Sequence, residues 1–370
     1  MTIGEVLDQI DVIAKGLHDI GVRKGDNVVI YADTSPNWFF TSMALAKLSA
    51  ITVTLFANLG DSGVIYGINQ TKAKHVITSE ELKEKMLTYI DRLSDVQHII
   101  YYPRPKNAPP IPRIDEIEMP ENLKITSFDD MTDKGAKMPP IEFKLPEPDD
   151  LVLIMYTSGT TSLPKAVMIN HRMLLSSINS VTTYFEHLDV NVEDLTMASF
   201  LPLSHIYGYV FNILLFISKY ICHNEKKNSS INVDYFFLDG TKIGFATPFT
   251  LLNSSPAHVP GQTGDLRLIQ PDFFVVVPLI LERFQKEIYA QLNRRGFLAS
   301  PLFTYFMEYK NRWLARGFRT PIIDRIICEK IKEQFGGKID MIGVGGAALH
   351  TSIEKFTRAA LGVEITNGKL

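Results

Sequence analysis

Cysteine is scarce in this chain, with only Cys222 and Cys328 in 370 residues. They lie far apart and in no metal-ligand spacing, which excludes a disulfide framework and a zinc site. They read as two ordinary buried thiols in a reducing compartment. Long apolar runs are missing too. The two most apolar stretches, 210–222 and 273–281, fall short of the ~20 residues that cross a bilayer, and charged residues follow each closely. No charge sign dominates: 38 Lys and Arg face 41 Asp and Glu, a net charge of −3 without any Lys/Arg-rich run. That balance argues against electrostatic recruitment to nucleic acid or to an anionic membrane. A basic start with an apolar core is also absent from the N-terminus, so no secretory signal is expected there. These absences describe a soluble chain with at most peripheral membrane association.

What is present is a hydrophobic content of 45%, enough for one large layered body or two joined domains. Thr2 and Glu5 stand at capping-box spacing, and Val6, Ile10, Ile13, Leu17 and Ile20 follow at helical intervals until Gly21. Lys24-Gly25-Asp26 then turns into a buried strand over 27–32. The pattern predicts a helix over 37–48, strands at 51–55, 75–77 and 98–102, and a helix over 80–93. Strands separated by helices imply mostly parallel sheets covered on both faces, an α/β doubly wound fold. Pro-rich stretches at 103–112 and 139–148 flank a polar segment of weak pattern and place a junction there. Two α/β subdomains are therefore expected, 1–145 and 146–370. In the second, strands are predicted at 151–156, 196–200, 242–246, 273–277 and 340–344, and helices at 171–185, 280–292 and 303–314. The polar stretch 223–234 reads as a surface insertion.

The most informative segment runs Tyr156-Thr157-Ser158-Gly159-Thr160-Thr161-Ser162-Leu163-Pro164-Lys165-Ala166. It follows a predicted buried strand and so leaves the carboxyl edge of a sheet, where open α/β folds bind ligands. Small side chains let backbone N–H groups approach phosphate oxygens, hydroxyls add donors, and Lys165 adds positive charge. It lacks the spacing of a Walker loop. On composition alone, a Ser/Thr-rich hairpin turn explains it equally well.

Thr157-Ser158-Gly159-Thr160-Thr161 with Pro164-Lys165 resembles the signature of the adenylate-forming acyl-CoA synthetase superfamily. Phe200-Leu201-Pro202-Leu203-Ser204-His205 resembles that family's Leu-Pro-Leu-x-His segment. Gly345-Gly346-Ala347-Ala348-Leu349 resembles its Gly-Gly-Ala-Pro-Leu loop. Val22-Arg23-Lys24-Gly25-Asp26, Leu55-Phe56-Ala57-Asn58-Leu59-Gly60 and Ile77-Thr78-Ser79 are similar to stretches of eukaryotic long-chain acyl-CoA synthetases, so the resemblance spans nearly the whole chain.

The resemblance implies the large N-terminal domain of such an enzyme, which joins a long-chain fatty acid, ATP and coenzyme A through an acyl-adenylate. Lys165 and the Thr157–Thr161 hydroxyls and backbone would hold the β- and γ-phosphates. Mg²⁺ would bridge phosphate oxygens with help from Thr157. His205 would lie beside the mixed anhydride, and Gly345, Gly346 and Ala347 against adenine. The implied location is the cytoplasm or the cytosolic face of the endoplasmic reticulum, mitochondrion or peroxisome. Residues Tyr207, Tyr209, Phe211 and Phe216 fit an acyl tunnel or, more simply, a buried helix face. Thr263-Gly264-Asp265 mimics the family's ribose-binding Thr-Gly-Asp but precedes the adenine loop, the wrong order, and is read as an ordinary turn.

Two departures from the family pattern matter. Ser162 and Ala166 stand where the family has Gly, implying strain of order 1 kcal/mol if either position needs positive φ. Residues 362–370 end where the family continues with Gly-Tyr-Gly-x-Thr-Glu, and the small C-terminal domain is expected to be absent. Weak adenylation follows as an expectation, with a non-catalytic nucleotide- or acyl-binding interaction module as the alternative. Aryl or short-chain acids are the competing substrates. The isolated chain is expected to be poorly soluble or to lean on a partner. A sharp two-state melt with monomeric sedimentation would contradict this.

Overall fold

Thr2 opens the first helix by a reciprocal cap. Its hydroxyl accepts from the Glu5 N–H at 3.3 Å, and its own N–H donates to the Glu5 carboxylate at 2.7 Å. Helix α1 (Ile3–Asp19) buries Ile10, Ile13, Ala14 and Leu17, and Gly21 at φ +103° turns the chain away. The computed structural model describes residues 1–104, 108, 111, 119–157, 164–187, 195–213, 242–255 and 261–367, with backbone alone from 182 to 187. The expected insertion at 223–234, together with Cys222, Phe216 and Ser162, lies outside the described residues.

The described chain forms two compact units: 1–187 with 202–210, and 188–201 with 211–370. In the first, β1 (Asn27–Tyr31) lies at the centre of a seven-stranded sheet with β2 (Ile51–Leu55), β3 (His75–Ser79), β4 (His98–Tyr102), β5 (Lys124–Ser127), β6 (Leu151–Thr157) and β7 (Lys165–Asn170). The order is β5-β4-β3-β1-β2-β6-β7, and every neighbouring pair is parallel except β6 with β7. One face, carrying Val29, Tyr31, Val53, Leu55, Val76, Ile154 and Tyr156, packs on α3 (Asp61–Thr71) and α4 (Glu80–Leu87). Val28, Ile30 and Ile77, of opposite parity, are fully buried as well, so both faces are covered. Helices α1, α2 (Pro36–Lys47) and α5 (Phe128–Lys137) pack together, as the doubly wound expectation requires.

The structure departs from expectation in several places. Residues 80–93 are not one helix: α4 stops at Leu87 and a short 3₁₀ turn, Ile90–Arg92, follows. Met86, Tyr89, Ile90 and Leu93 keep helical spacing and are all buried, but Tyr89 leaves the helical region at φ −134°, and the helix breaks there. The weakly patterned segment between the prolines contains β5 and α5, the latter capped by the Ser127 hydroxyl accepting from Asp130 N–H at 3.1 Å. The units also divide later than the expected 145/146 junction, because Thr52, Val53 and Thr54 of β2 pair in parallel with β6. Pairing across the sheet, not the proline-rich composition, decides where the first unit ends.

In the second unit β8 (Thr196–Ser199), β9 (Lys242–Phe245), β10 (Phe273–Val276), β11 (Met341–Val344) and β12 (Glu364–Asn367) form an all-parallel sheet in the order β12-β11-β10-β8-β9. Helix α6 (His171–His187) belongs to the first unit; the second carries α7 (Asp265–Ile269), α8 (Pro278–Arg295), α9 (Ala299–Leu314), a helical run over 321–335 and α10 (Thr351–Leu361). Thr263-Gly264-Asp265 is indeed a local turn: Gly264 caps α7 and Asp265 accepts from the Thr250 hydroxyl.

Helices α1 and α5 approach backbone to backbone at Gly16 and Gly135. A methyl on Gly135 would run into the Val12 carbonyl oxygen and lie 2.8 Å from Gly16 N, and one on Gly16 would meet Met131 O at 2.6 Å. These obstacles are backbone and cannot rotate away. Gly135→Ala is therefore expected to lower stability by about 2 kcal/mol, read as a shifted urea midpoint with unchanged slope.

Candidate functional site

Strands β6 and β7 run antiparallel, so Thr157 and Lys165 are the last register pair at one edge of the first sheet. The Thr157 hydroxyl lies 3.5 Å from the Lys165 carbonyl oxygen. Ser158, Gly159, Thr160 and Thr161 lie outside the described residues; the structure fixes the two ends of their segment. Lys165 is exposed and makes no ion pair among the described residues. The hairpin expected from composition is thus present, and its ends carry the hydroxyl and the ammonium group.

The strand end is anchored from below. The Tyr156 hydroxyl donates to Gly67 O at 3.2 Å and to Gln70 Oε1 at 2.7 Å, both on α3. Burial, with a smaller contribution from Tyr66, pushes the Tyr156 phenol up to about 12, so it stays a neutral donor. Helix α3 comes this close because position 67 is Gly: a Cβ there would sit 2.8 Å from Leu55 Cδ2 and 3.4 Å from the Tyr156 ring.

His205 is held at the same carboxyl edge of the same sheet. Leu203 N–H donates to the Thr34 hydroxyl at 2.9 Å, just beyond β1, and Thr54 of β2 donates to Ser204 O at 3.3 Å. Farther along the segment, the Tyr209 and Ser42 hydroxyls bond at 2.7 Å, and the Tyr209 ring meets Trp38 edge-on at 6.0 Å. Tyr209 is therefore buried helix face inside the first unit, with Tyr207 also buried. The backbone N–H of Tyr207 donates to His205 Nδ1 at 3.2 Å. Nδ1 must accept, which leaves Nε2–H as the donor in the neutral ring. His205 is exposed at the surface, yet partial desolvation by the protein around its ring lowers the pKa below its ordinary value, favouring that neutral form.

Gly345, Gly346 and Ala347 belong to the second unit, at the carboxyl end of β11. Gly345 N–H donates to Val276 O at 3.2 Å, extending the β10–β11 pairing by one bond. Gly346 has φ +79°, the left-handed region that favours glycine, and with Ala347 it is exposed. His350 closes the loop by capping α10, its Nδ1 accepting from Ser352 N–H at 3.3 Å.

Residues 1–220 match the family described as AMP-binding enzyme, more than half of the chain. The chain belongs to the AMP-binding enzyme family. It is similar to long chain acyl-CoA synthetase 8 of Arabidopsis thaliana, 28% identical over 375 residues, covering 99% of this chain and 48% of the relative. It is also similar to fatty acyl-CoA synthetase A of Dictyostelium discoideum, 26% identical over 359 residues, covering 96% of this chain and 47% of the relative. The chain thus spans about half the length of the curated relatives it matches. In fold it matches the A domain of carboxylic acid reductase from Segniliparus rugosus, solved in complex with AMP and a co-purified carboxylic acid. The TM-score is 0.68 at 16% identity, over 100% of this chain and 53% of that one.

As an AMP-binding enzyme the chain departs from its family less than expected at one position. Ala166 lies in regular β7 opposite Tyr156, and only Ser49, Lys72 and Gln270 among the described non-glycine residues have positive φ. The strain anticipated at Ala166 is therefore absent. Sequence reasoning missed the hydroxyls of Thr34, Ser42 and Thr54, which hold the His205 segment. In the sequence they look like ordinary loop, helix and strand residues. By NMR titration the His205 ring is expected to titrate below its ordinary 6.5, remaining the Nε2–H tautomer at pH 7. Tyr209→Phe, which deletes the bond to Ser42, is expected to cost about 1 kcal/mol in the urea unfolding of the first unit.

Proposed function

We propose that this chain carries the nucleotide- and acyl-activating portion of an ATP-dependent long-chain fatty acid:CoA ligase. The observation that carries the reading is the hairpin edge, where Thr157 and Lys165 face each other, with an exposed ammonium group that makes no ion pair among the described residues, at the end of the Ser/Thr/Gly-rich segment. The names of the two acyl-CoA synthetase relatives support the choice of substrate. In the reaction a fatty carboxylate oxygen attacks the α-phosphorus of ATP and pyrophosphate leaves. The thiol sulfur of coenzyme A then attacks the acyl carbon and AMP leaves with the electron pair. No covalent enzyme nucleophile is required, because positioning and charge neutralisation lower the barrier.

Lys165 would offset the negative charge that grows on the departing pyrophosphate, with Ser158, Gly159, Thr160 and Thr161 donating to its oxygens. His205, neutral with Nε2–H available, would donate to the mixed anhydride without adding a charge. Gly345, Gly346 and Ala347 would offer a flat surface to adenine, since side chains there are small or absent. Among the described residues no group of three or more His, Cys, Asp or Glu could hold a metal. The Thr157 hydroxyl at the hairpin edge would be available to a Mg²⁺ ion that arrives with the nucleotide phosphates. That ion would neutralise phosphate charge.

We place the activity in the cytosol or on the cytosolic face of an organelle. No described helix is long and apolar enough to cross a membrane. Lys165→Ala is expected to weaken Mg·ATP binding by about 10- to 100-fold in calorimetry, the range set by losing one or two charge-assisted bonds. Equal affinity in the variant, or no binding by the unaltered protein, would overturn the nucleotide role. Pyrophosphate release should be faster with palmitate than with acetate or coumarate; the reverse order would reassign the acid.

A further inference from the structure

The balanced charge of the whole chain conceals a local excess in the second unit. Residues 294–330 contain eight Lys and Arg but only Glu308, Asp324 and Glu329 as acids, a net of +5. The rest of the chain therefore carries −8 of the total of −3. No run of basic residues betrays this region, because its cations are spread along helix faces. Lys310 turns inward, only 2% exposed, and pairs with Asp324 at 2.5 Å, so the outward charge is unchanged by that pair. Arg312 lies 3.7 Å from Glu308 on the surface.

Helix α9 explains how the excess is displayed. Phe303, Met307 and Lys310 face the interior. The opposite stripe runs through Leu302, Tyr305 and Tyr309, which are 53%, 61% and 41% exposed. Rings continue the stripe: Tyr309 lies 6.0 Å from Trp313, and Trp313 lies 5.5 Å from Phe318, with the Arg316 guanidinium 5.7 Å from the Trp313 centroid. A groove of about 270 Å³ joins this helix to the following helical run, lined by Leu302, Phe306 and Ile326 with Arg295 and Lys330 at hand. Phe297, Leu298, Phe318 and Ile322 are also exposed, at 57% or more.

Exposed apolar surface on this scale marks a binding face. Aromatic and aliphatic side chains interleaved with arginines, and almost no acids, are the composition that settles at a lipid headgroup boundary. A second copy of the chain would set +5 against +5, so charge complementarity favours an anionic partner. We infer that the α9 face binds an anionic bilayer surface. Leu302, Tyr305 and Tyr309 enter the headgroup boundary, and Arg312, Arg316 and Arg319 pair with lipid phosphates. The inference is independent of the proposed reaction. It gives the peripheral membrane association left open by the sequence a specific face.

Tryptophan makes the test specific. The chain has two, and Trp38 is fully buried in the first unit, so a lipid-borne quencher should reach Trp313 alone. The 370-residue protein is mixed with phosphatidylcholine vesicles with and without phosphatidylserine, their acyl chains brominated. The expected result is co-sedimentation and fluorescence quenching with the serine lipid, both weakened by salt. The R312Q/R316Q/R319Q variant should bind about 100-fold more weakly, at roughly fivefold per arginine. Its circular dichroism and urea midpoint should match the unaltered protein. W313F should lose the quenching while still sedimenting. Equal binding to both vesicle types, or none, would overturn the inference, as would quenching that survives in W313F. A dimer in vesicle-free sedimentation that the three glutamines dissociate would assign the face to a second copy instead.

Discussion

The reversal of direction between β6 and β7 is the constraint on which the first unit's candidate site depends. Six of the seven strands run parallel, so their carboxyl ends share one edge and their amino ends the other. Had β7 continued that pattern, its first residue would lie at the far edge from Thr157. Because it is antiparallel, Lys165 returns opposite Thr157, and the intervening segment must leave and re-enter at the carboxyl edge. The cation thus stands beside the hydroxyls by topology, without a dedicated contact to hold it. The cost is an edge strand with Val167 and Met168 exposed, partly offset by the anchoring of β6 to α3 through Tyr156.

The same edge receives the His205 segment through hydroxyl groups. A buried polar group without a partner is costly, so Thr54, at 1% exposure, needs an acceptor and finds Ser204 O. Thr34 serves Leu203 N–H, and Ser42 serves Tyr209. Three side chains from three successive elements satisfy the polar atoms of a segment some 150 residues later. Specificity of placement comes from this matching, since apolar packing alone would tolerate a shift along the groove.

Signals that act within a few residues were legible in the sequence. The Thr2–Glu5 cap, the apolar run that became β1 and the strands at 51–55 and 98–102 all form where local pattern put them. Helix α3 went unread because Gly60 caps it without a side-chain bond, and Gly63 and Gly67 dilute its helical signal. Gly67 is there for close approach to Leu55 and Tyr156, a requirement visible only in three dimensions. Strand β5 is polar and half-exposed at the sheet edge, so it shows no apolar alternation. The unit boundary was misplaced for a related reason: β6 finds its partner in β2, about a hundred residues earlier, and proline content says nothing about pairing. Motif residues were legible as types in a fixed order, whereas their supports were not.

Hydroxyl supports and the neutral imidazole have a common electrostatic logic. A site that must stabilise phosphate charge gains from one mobile cation and loses from a second ionised group that burial would have to desolvate. Lys165 is exposed, and on the proposed reading it would keep its hydration until a phosphate displaced it, while a neutral His205 would contribute a dipole and not a charge. Thr34, Ser42 and Thr54 do their positioning as neutral groups for the same reason. Ionic side chains in those places would have held the segment more strongly but would also have shifted the potential at the sheet edge. On the proposed reading the two tasks are separated: neutral hydrogen bonds place the His205 segment, and the exposed Lys165 ammonium group would supply the field.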